Sequence, residues 1–170
     1  MNEQRRKTMF QKSLYNFLLS LFLVIFTAVW CSYFNSFAMN GFYEQIQRSA
    51  LTPPGYVFSI VWTLLYALMV ISLDILLNMK PEKSKHAVNF FLVNLLLQIL
   101  WSFAFFYNGY FLIGLIILLI LDIVAAIQIE ITYKLNKTAG LLLFPFGAWI
   151  LFATYLNWII YHLNGASYSM

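Results

Sequence analysis

Apolar residues fall in five long blocks separated by short polar breaks. A helix needs about 20 mostly apolar residues to cross a bilayer. Five windows meet that length: about 14–34, 53–78, 87–107, 110–133 and 139–163. The pattern predicts an all-α integral membrane protein, a bundle of five transmembrane helices in one domain (14–163). A basic segment (1–13) precedes it and a short tail (164–170) follows. The first window is too long for a signal-peptide core, and no small-residue cleavage pattern follows it, so it is expected to be retained.

The breaks set the topology. Met79 to His86, Asn108-Gly109 and Lys134 to Thr138 are short, and short links force neighbouring helices to run antiparallel. The first link, 35–52, is longer. It mixes Phe37, Met39, Phe42, Tyr43 and Ile46 with Asn40, Glu44, Gln45 and Arg48. Two readings carry equal weight: a lid closing the bundle, or an interfacial helix lying on the bilayer.

Composition supports the membrane reading. The 170-residue chain is 62% hydrophobic and 9% charged, with a mean hydropathy of +0.79; a soluble domain carries roughly 25% charged residues. Aromatics reach 19%. Interface belts and helix packing account for most of them, and the remainder points to a ligand. The lone Cys31 excludes an internal disulfide and a cysteine-based zinc site, while His86 and His162 stand at segment ends, where interfacial positions explain them better than metal binding. No metal is expected.

Charge sets the expected orientation. Arg5, Arg6, Lys7, Lys12, Lys80, Lys83, Lys85, Lys134 and Lys137 share one side of a five-span chain, and Arg48 stands alone on the other. The positive-inside rule then puts the N-terminus in the cytoplasm and the C-terminus outside. The net charge of +4 follows from topology and calls for no nucleic-acid partner.

Candidate chemistry lies on helix faces. Thr52 can cap the second helix, whose first positions, Pro53 and Pro54, need no amide partner; Gly55 follows. Phe58, Trp62 and Tyr66 then repeat every four residues on one face, which Asp74 extends. The third window places Asn94, Gln98, Trp101 and Phe105 on one face. Buried amides in lipid serve either as packing glue or as a cavity lining. Asp122 sits near the centre of the fourth window with no local cation, whereas Glu130 has Lys134 one turn away. In the fifth, Pro145, Trp149, Ala153, Asn157 and Tyr161 recur every four residues. A proline inside that window is expected to bend the helix. Ala153 leaves room between Trp149 and Asn157, on a face that reads either as crowded packing or as a pocket wall. There is no Ser/His/Asp set, no metal-ligand cluster and no phosphate-binding glycine loop. A cholesterol-type pattern needs a basic residue soon after tyrosine, and only His162 follows Tyr161.

Taken together, these motifs resemble the translocator protein family, also called tryptophan-rich sensory proteins or peripheral-type benzodiazepine receptors. The likeness covers nearly the whole chain after the first helix. It rests on Pro53-Pro54-Gly55 with Trp62 and Tyr66, on Asn94, Gln98, Trp101 and Phe105, and on Asp122. Ala139-Gly140, Pro145, Trp149, Phe152-Ala153-Thr154 and Leu156-Asn157 complete it. Two positions depart from the family pattern. Leu51 stands where a tryptophan is usual before the threonine-proline-proline run, and Phe146 stands where tyrosine usually follows the fifth-helix proline. The resemblance implies a five-helix bundle, often dimeric, with a pocket closed by the first loop. It also implies binding of porphyrins and of synthetic aromatic ligands such as isoquinoline carboxamides and benzodiazepines. Some members are reported to degrade protoporphyrin in light.

The expectation is therefore a membrane-embedded binding protein for porphyrins and other flat aromatic ligands, acting as sensor, scavenger or facilitator, with no obligatory cofactor. The alternatives are a small transporter of porphyrin-like amphipaths and a light-dependent protoporphyrin-degrading enzyme. The expected lining is Phe58, Trp62, Tyr66, Asn94, Gln98, Trp101, Phe105, Asp122, Phe146, Trp149, Ala153 and Asn157, with Trp62 and Trp149 as the photochemical pair. Membrane lipid and a second copy of the chain are the expected partners. Enrichment in Lys, Asn, Ile and Phe suggests a bacterial cell membrane.

Overall fold

A computed structural model describes residues 3–39 and 41–168. The chain is all-α: α1 (Glu3–Met39), α2 (Gly55–Leu77), α3 (Pro81–Ser102), α4 (Phe111–Leu135), α5 (Lys137–Leu141) and α6 (Phe144–Asn164). Five segments are long and apolar enough to cross a membrane: Met9–Ala38, Gly55–Leu77, Pro81–Tyr107, Phe111–Leu135 and Lys137–Asn164. The protein is an integral, multi-pass membrane protein with a five-helix bundle. The start of α1, the start of α3 and the end of α4 carry the clustered lysines and form the basic end.

Helix α1 starts well before its apolar window. Glu3 lies in its first turn, where a carboxylate complements the helix dipole, and it pairs with Lys7 one turn on. Likewise, α3 starts at Pro81, with Glu82 in its first turn. Both extensions are polar, so apolar length alone does not reveal them.

The α2 start also departs from the sequence expectation. Thr52 does not cap the helix. Pro54 occupies the cap position without a side-chain hydrogen bond, α2 begins at Gly55, and the Thr52 hydroxyl is buried without a partner.

The fifth span is not one bent helix. A turn at Leu142 and Leu143 separates α5 from α6, and Pro145 stands at the second position of α6. Proline is tolerated in a first helical turn because its missing N–H would lack a partner there anyway. The break lets α5 press against α4: a Cβ on Gly140 would lie 2.4 Å from Tyr133 Cα, so only glycine fits. Ser72 on α2 donates to the carbonyl of Ala139 at 2.9 Å and ties α5 to the bundle.

At the other end, α3 passes through a single wide π-turn, Phe103–Tyr107. The link from Asn108 to Tyr110 that leads into α4 depends on Gly109, whose φ of 65° favours glycine. The Gly109 carbonyl accepts from Tyr168 N–H at 2.9 Å, and the Tyr168 ring stacks on Phe42 of the first loop. Loop, α3–α4 link and tail therefore form one cap on the end opposite the basic end. Asn16 donates to Leu77 O and Asn78 Oδ1, both at 3.0 Å, and fastens α1 to α2 at the basic end.

Candidate functional site

Beneath that cap lies a partly open cavity of about 910 Å³, bordered by α1, α2, α3 and the first loop. Helix direction gives its depth. Moving inward from the loop, α2 contributes Gly55, Phe58, Ser59, Trp62, Thr63 and Tyr66. At 1.5 Å per residue, that run descends about 16 Å. From α3 come Phe106, Ser102, Trp101 and Gln98, and from α1 come Asn35, Ser32, Cys31 and Ala28. The loop closes the top with Tyr43, Ile46, Arg48 and Ser49.

Aromatic rings form the inner wall. Trp62 packs on Tyr66 with ring centroids 5.3 Å apart and faces Trp101 at 6.3 Å, the two indoles inclined by 33°. Phe106 meets Trp101 edge-on at 5.4 Å. Such offset and edge contacts are favoured by the ring quadrupoles and hold the wall rigid.

Polar groups support the wall from behind. The Trp101 indole donates to Asn157 Oδ1 at 3.3 Å, and Asn157 in turn donates to the Phe111 carbonyl at 2.8 Å. Gln98 donates to Asn94 Oδ1 at 2.7 Å, which leaves the Gln98 carbonyl oxygen buried and unpaired. An unpaired buried polar atom is costly, and one at a cavity wall is placed to accept from a molecule bound there.

The loop is pinned from the far side. Asn164 at the end of α6 exchanges two hydrogen bonds with the backbone of Gln47, receiving N–H at 2.9 Å and donating to the carbonyl at 2.8 Å. Arg48 lies over the Tyr43 ring at 4.8 Å. Burial pushes the Tyr43 phenol above its usual range, while the adjacent guanidinium pulls it down.

The structure brings together Phe58, Trp62, Tyr66, Gln98 and Trp101 around the cavity, with Pro53, Pro54 and Gly55 at its rim. Asn94 touches it only through Gln98. The remaining expected lining residues do not border it. Phe105 is buried against Phe106 and Phe111. Phe146 is buried 6.4 Å from Trp62. Ala153 and Asn157 are buried in α6. Asp122 accepts a 2.8 Å hydrogen bond from Thr154 between α4 and α6. Asp74 bonds to Asn78 near the basic end. Trp149 and Pro145 border a separate, shallower apolar groove of about 420 Å³ between α2 and α6, where Trp149 meets Phe58 at 5.5 Å.

Sequence reasoning missed the α1 wall and the loop's polar side chains. A signal existed: Ala28, Cys31, Ser32 and Asn35 place small or polar residues at helical spacing in a segment otherwise rich in phenylalanine, tyrosine and tryptophan.

Comparison with known proteins agrees with this architecture. Residues 18–163 match the model of the TspO/MBR family. The chain is 37% identical over 133 residues to "Tryptophan-rich protein TspO" of Archaeoglobus fulgidus, covering 78% of this chain and 86% of that protein. It is 30% identical over 122 residues to the Bacillus cereus protein of the same name, covering 72% and 80%. "Protein CrtK" of Rhodobacter capsulatus matches at 27% over 150 residues, covering 86% and 94%. The chain belongs to the TspO/MBR family.

Proposed function

We propose that this TspO/MBR family member binds porphyrins and other flat aromatic ligands within the membrane, as a sensor, scavenger or facilitator. The ligand's seat is the cavity among α1, α2 and α3, and the first loop is its lid. One observation carries the reading: a cavity of about 910 Å³, open at its mouth, has Trp62, Tyr66 and Trp101 on its inner wall. Drug-sized ligands occupy cavities of about 300–1,000 Å³, lined mostly by apolar and aromatic groups with a few polar anchors. The orientation that accompanies this reading puts the basic end in the cytoplasm, so the lid faces outward. A homodimer is the proposed assembly.

Titration with protoporphyrin, read by tryptophan fluorescence, tests the binding. Cys31 supplies an independent reading, because it is the chain's one cysteine and borders the cavity. Bound porphyrin should protect it from a thiol-reactive maleimide. Unchanged labelling at saturating porphyrin would remove the ligand from this cavity.

The close approach of Trp62 and Trp101 favours light-driven porphyrin breakdown as a second reading. An excited porphyrin held there would meet two indole electron donors. Illumination of the complex with product analysis separates this activity from binding alone, and flux into sealed vesicles separates binding from transport.

A further inference from the structure

We infer that Arg48 receives a carboxylate of the ligand at the cavity mouth, so that the site selects amphipathic anions carried with their acid groups outward. This inference rests on the binding reading above and names the ligand class within it.

Charge changes with depth. The inner wall sets the rings of Trp62, Tyr66 and Trp101 beside the neutral Gln98, Ser102 and Thr63. The mouth sets Arg48 beside Asn35, Ser49 and Ile46. A flat, uncharged body therefore belongs inside and a charged group at the loop. The sign of that group follows from charge. Among the described residues, Arg48 is the sole charged one bordering the cavity. Among the described residues it forms no ion pair with a carboxylate; the ion pairs there join Lys7 to Glu3 and Lys134 to Glu130.

Geometry keeps the guanidinium at the mouth. Its carbon lies 4.8 Å above the centre of the Tyr43 ring. The guanidinium also hydrogen-bonds the Tyr43 side chain, and its remaining N–H donors meet no carboxylate among the described residues. Those donors form a fork that matches a carboxylate in two parallel hydrogen bonds. Position is held through the preceding residue, because both backbone groups of Gln47 are bonded to Asn164. The sequence made Arg48 an exception to charge asymmetry; the fold gives that exception a place at the cavity mouth.

Competing placements are weaker. The α2–α6 groove is apolar and carries no charged side chain. The basic end holds the lysines, but the cavity opens at the opposite end.

The test compares protoporphyrin, a dicarboxylic acid, with its neutral dimethyl ester in the detergent-solubilised full chain, using fluorescence quenching and Cys31 protection. The acid should bind wild-type protein about tenfold more tightly than the ester, the size expected of one charge-assisted contact. Arg48→Gln should remove that preference by weakening the acid alone, and Arg48→Lys should restore part of it. Raised salt should narrow the preference in wild type and leave Arg48→Gln unaffected. Equal binding of acid and ester by wild type would overturn the inference while leaving the binding reading intact. Equal loss of both ligands in Arg48→Gln would also overturn it, assigning Arg48 to loop structure. Failure of both ligands to bind wild type would remove the binding reading itself.

Discussion

The indole N–H of Trp101 and the side-chain carbonyl of Asn157 meet at 3.3 Å between α3 and α6. One residue borders the cavity and the other stands behind it. Asn157 also donates to the Phe111 carbonyl of α4, so a single amide joins three helices. It is a support for the cavity wall.

Replacing that amide should therefore act first on stability. Asn157→Leu leaves the Trp101 N–H and the Phe111 carbonyl without their partner, and each such orphan costs about 1–3 kcal/mol. A lower unfolding temperature in detergent is expected. Trp101→Phe in the same background should recover part of the loss, because it removes one orphaned donor. A double-mutant cycle checks this; strictly additive losses would show that the 3.3 Å contact contributes nothing.

The three tryptophans near α2 should respond differently to ligand. Trp62→Phe and Trp101→Phe should each remove part of the porphyrin-induced quenching, because both indoles border the cavity. Trp149→Phe should change quenching less, because Trp149 lies in the groove beyond Phe58. Stern–Volmer analysis of the single variants decides the order, and the largest effect from Trp149 would move the ligand to the α2–α6 groove.

Lid behaviour should depend on Asn164. Asn164→Ala removes both hydrogen bonds to Gln47 and frees the loop from α6. Exposed hydrogen bonds contribute about 0.5–1.5 kcal/mol each. Ligand dissociation should accelerate several-fold in stopped-flow displacement, with the unfolding temperature falling by several degrees at most. An unchanged off-rate would mean that the loop does not gate the cavity.

Orientation can be read with a reporter. Alkaline phosphatase fused to the C-terminus should be active, because that enzyme matures only outside the cytoplasm. A fusion in the Met79–His86 link should be inactive. The reverse pattern would invert the lid to the cytoplasmic side.

Much of the bundle was legible because its causes are local. Hydrophobic length is a property of a segment, so the five spans and their antiparallel order follow from runs of apolar residues and short links. Four-residue spacing likewise places Phe58, Trp62 and Tyr66 on one face, because every α-helix has the same period. Polar extensions such as Glu3–Lys7 escaped that reading, since they serve the helix dipole and not the bilayer. The break before Pro145 escaped it too, since a proline signals an interruption without saying whether the helix bends or restarts.

Which face meets which helix was decided only by the tertiary structure. The sequence gives Trp62, Trp101, Trp149 and Asn157 comparable positions on three aromatic faces. Packing turns Trp101 toward Trp62, sets Trp149 in a different recess, makes Asn157 a support and brings the small residues of α1 in as the missing wall. The physical reason is that periodicity fixes the angle between side chains on one helix. The rotation of that helix about its own axis, and the identity of its neighbour, depend on contacts with residues far away in the chain.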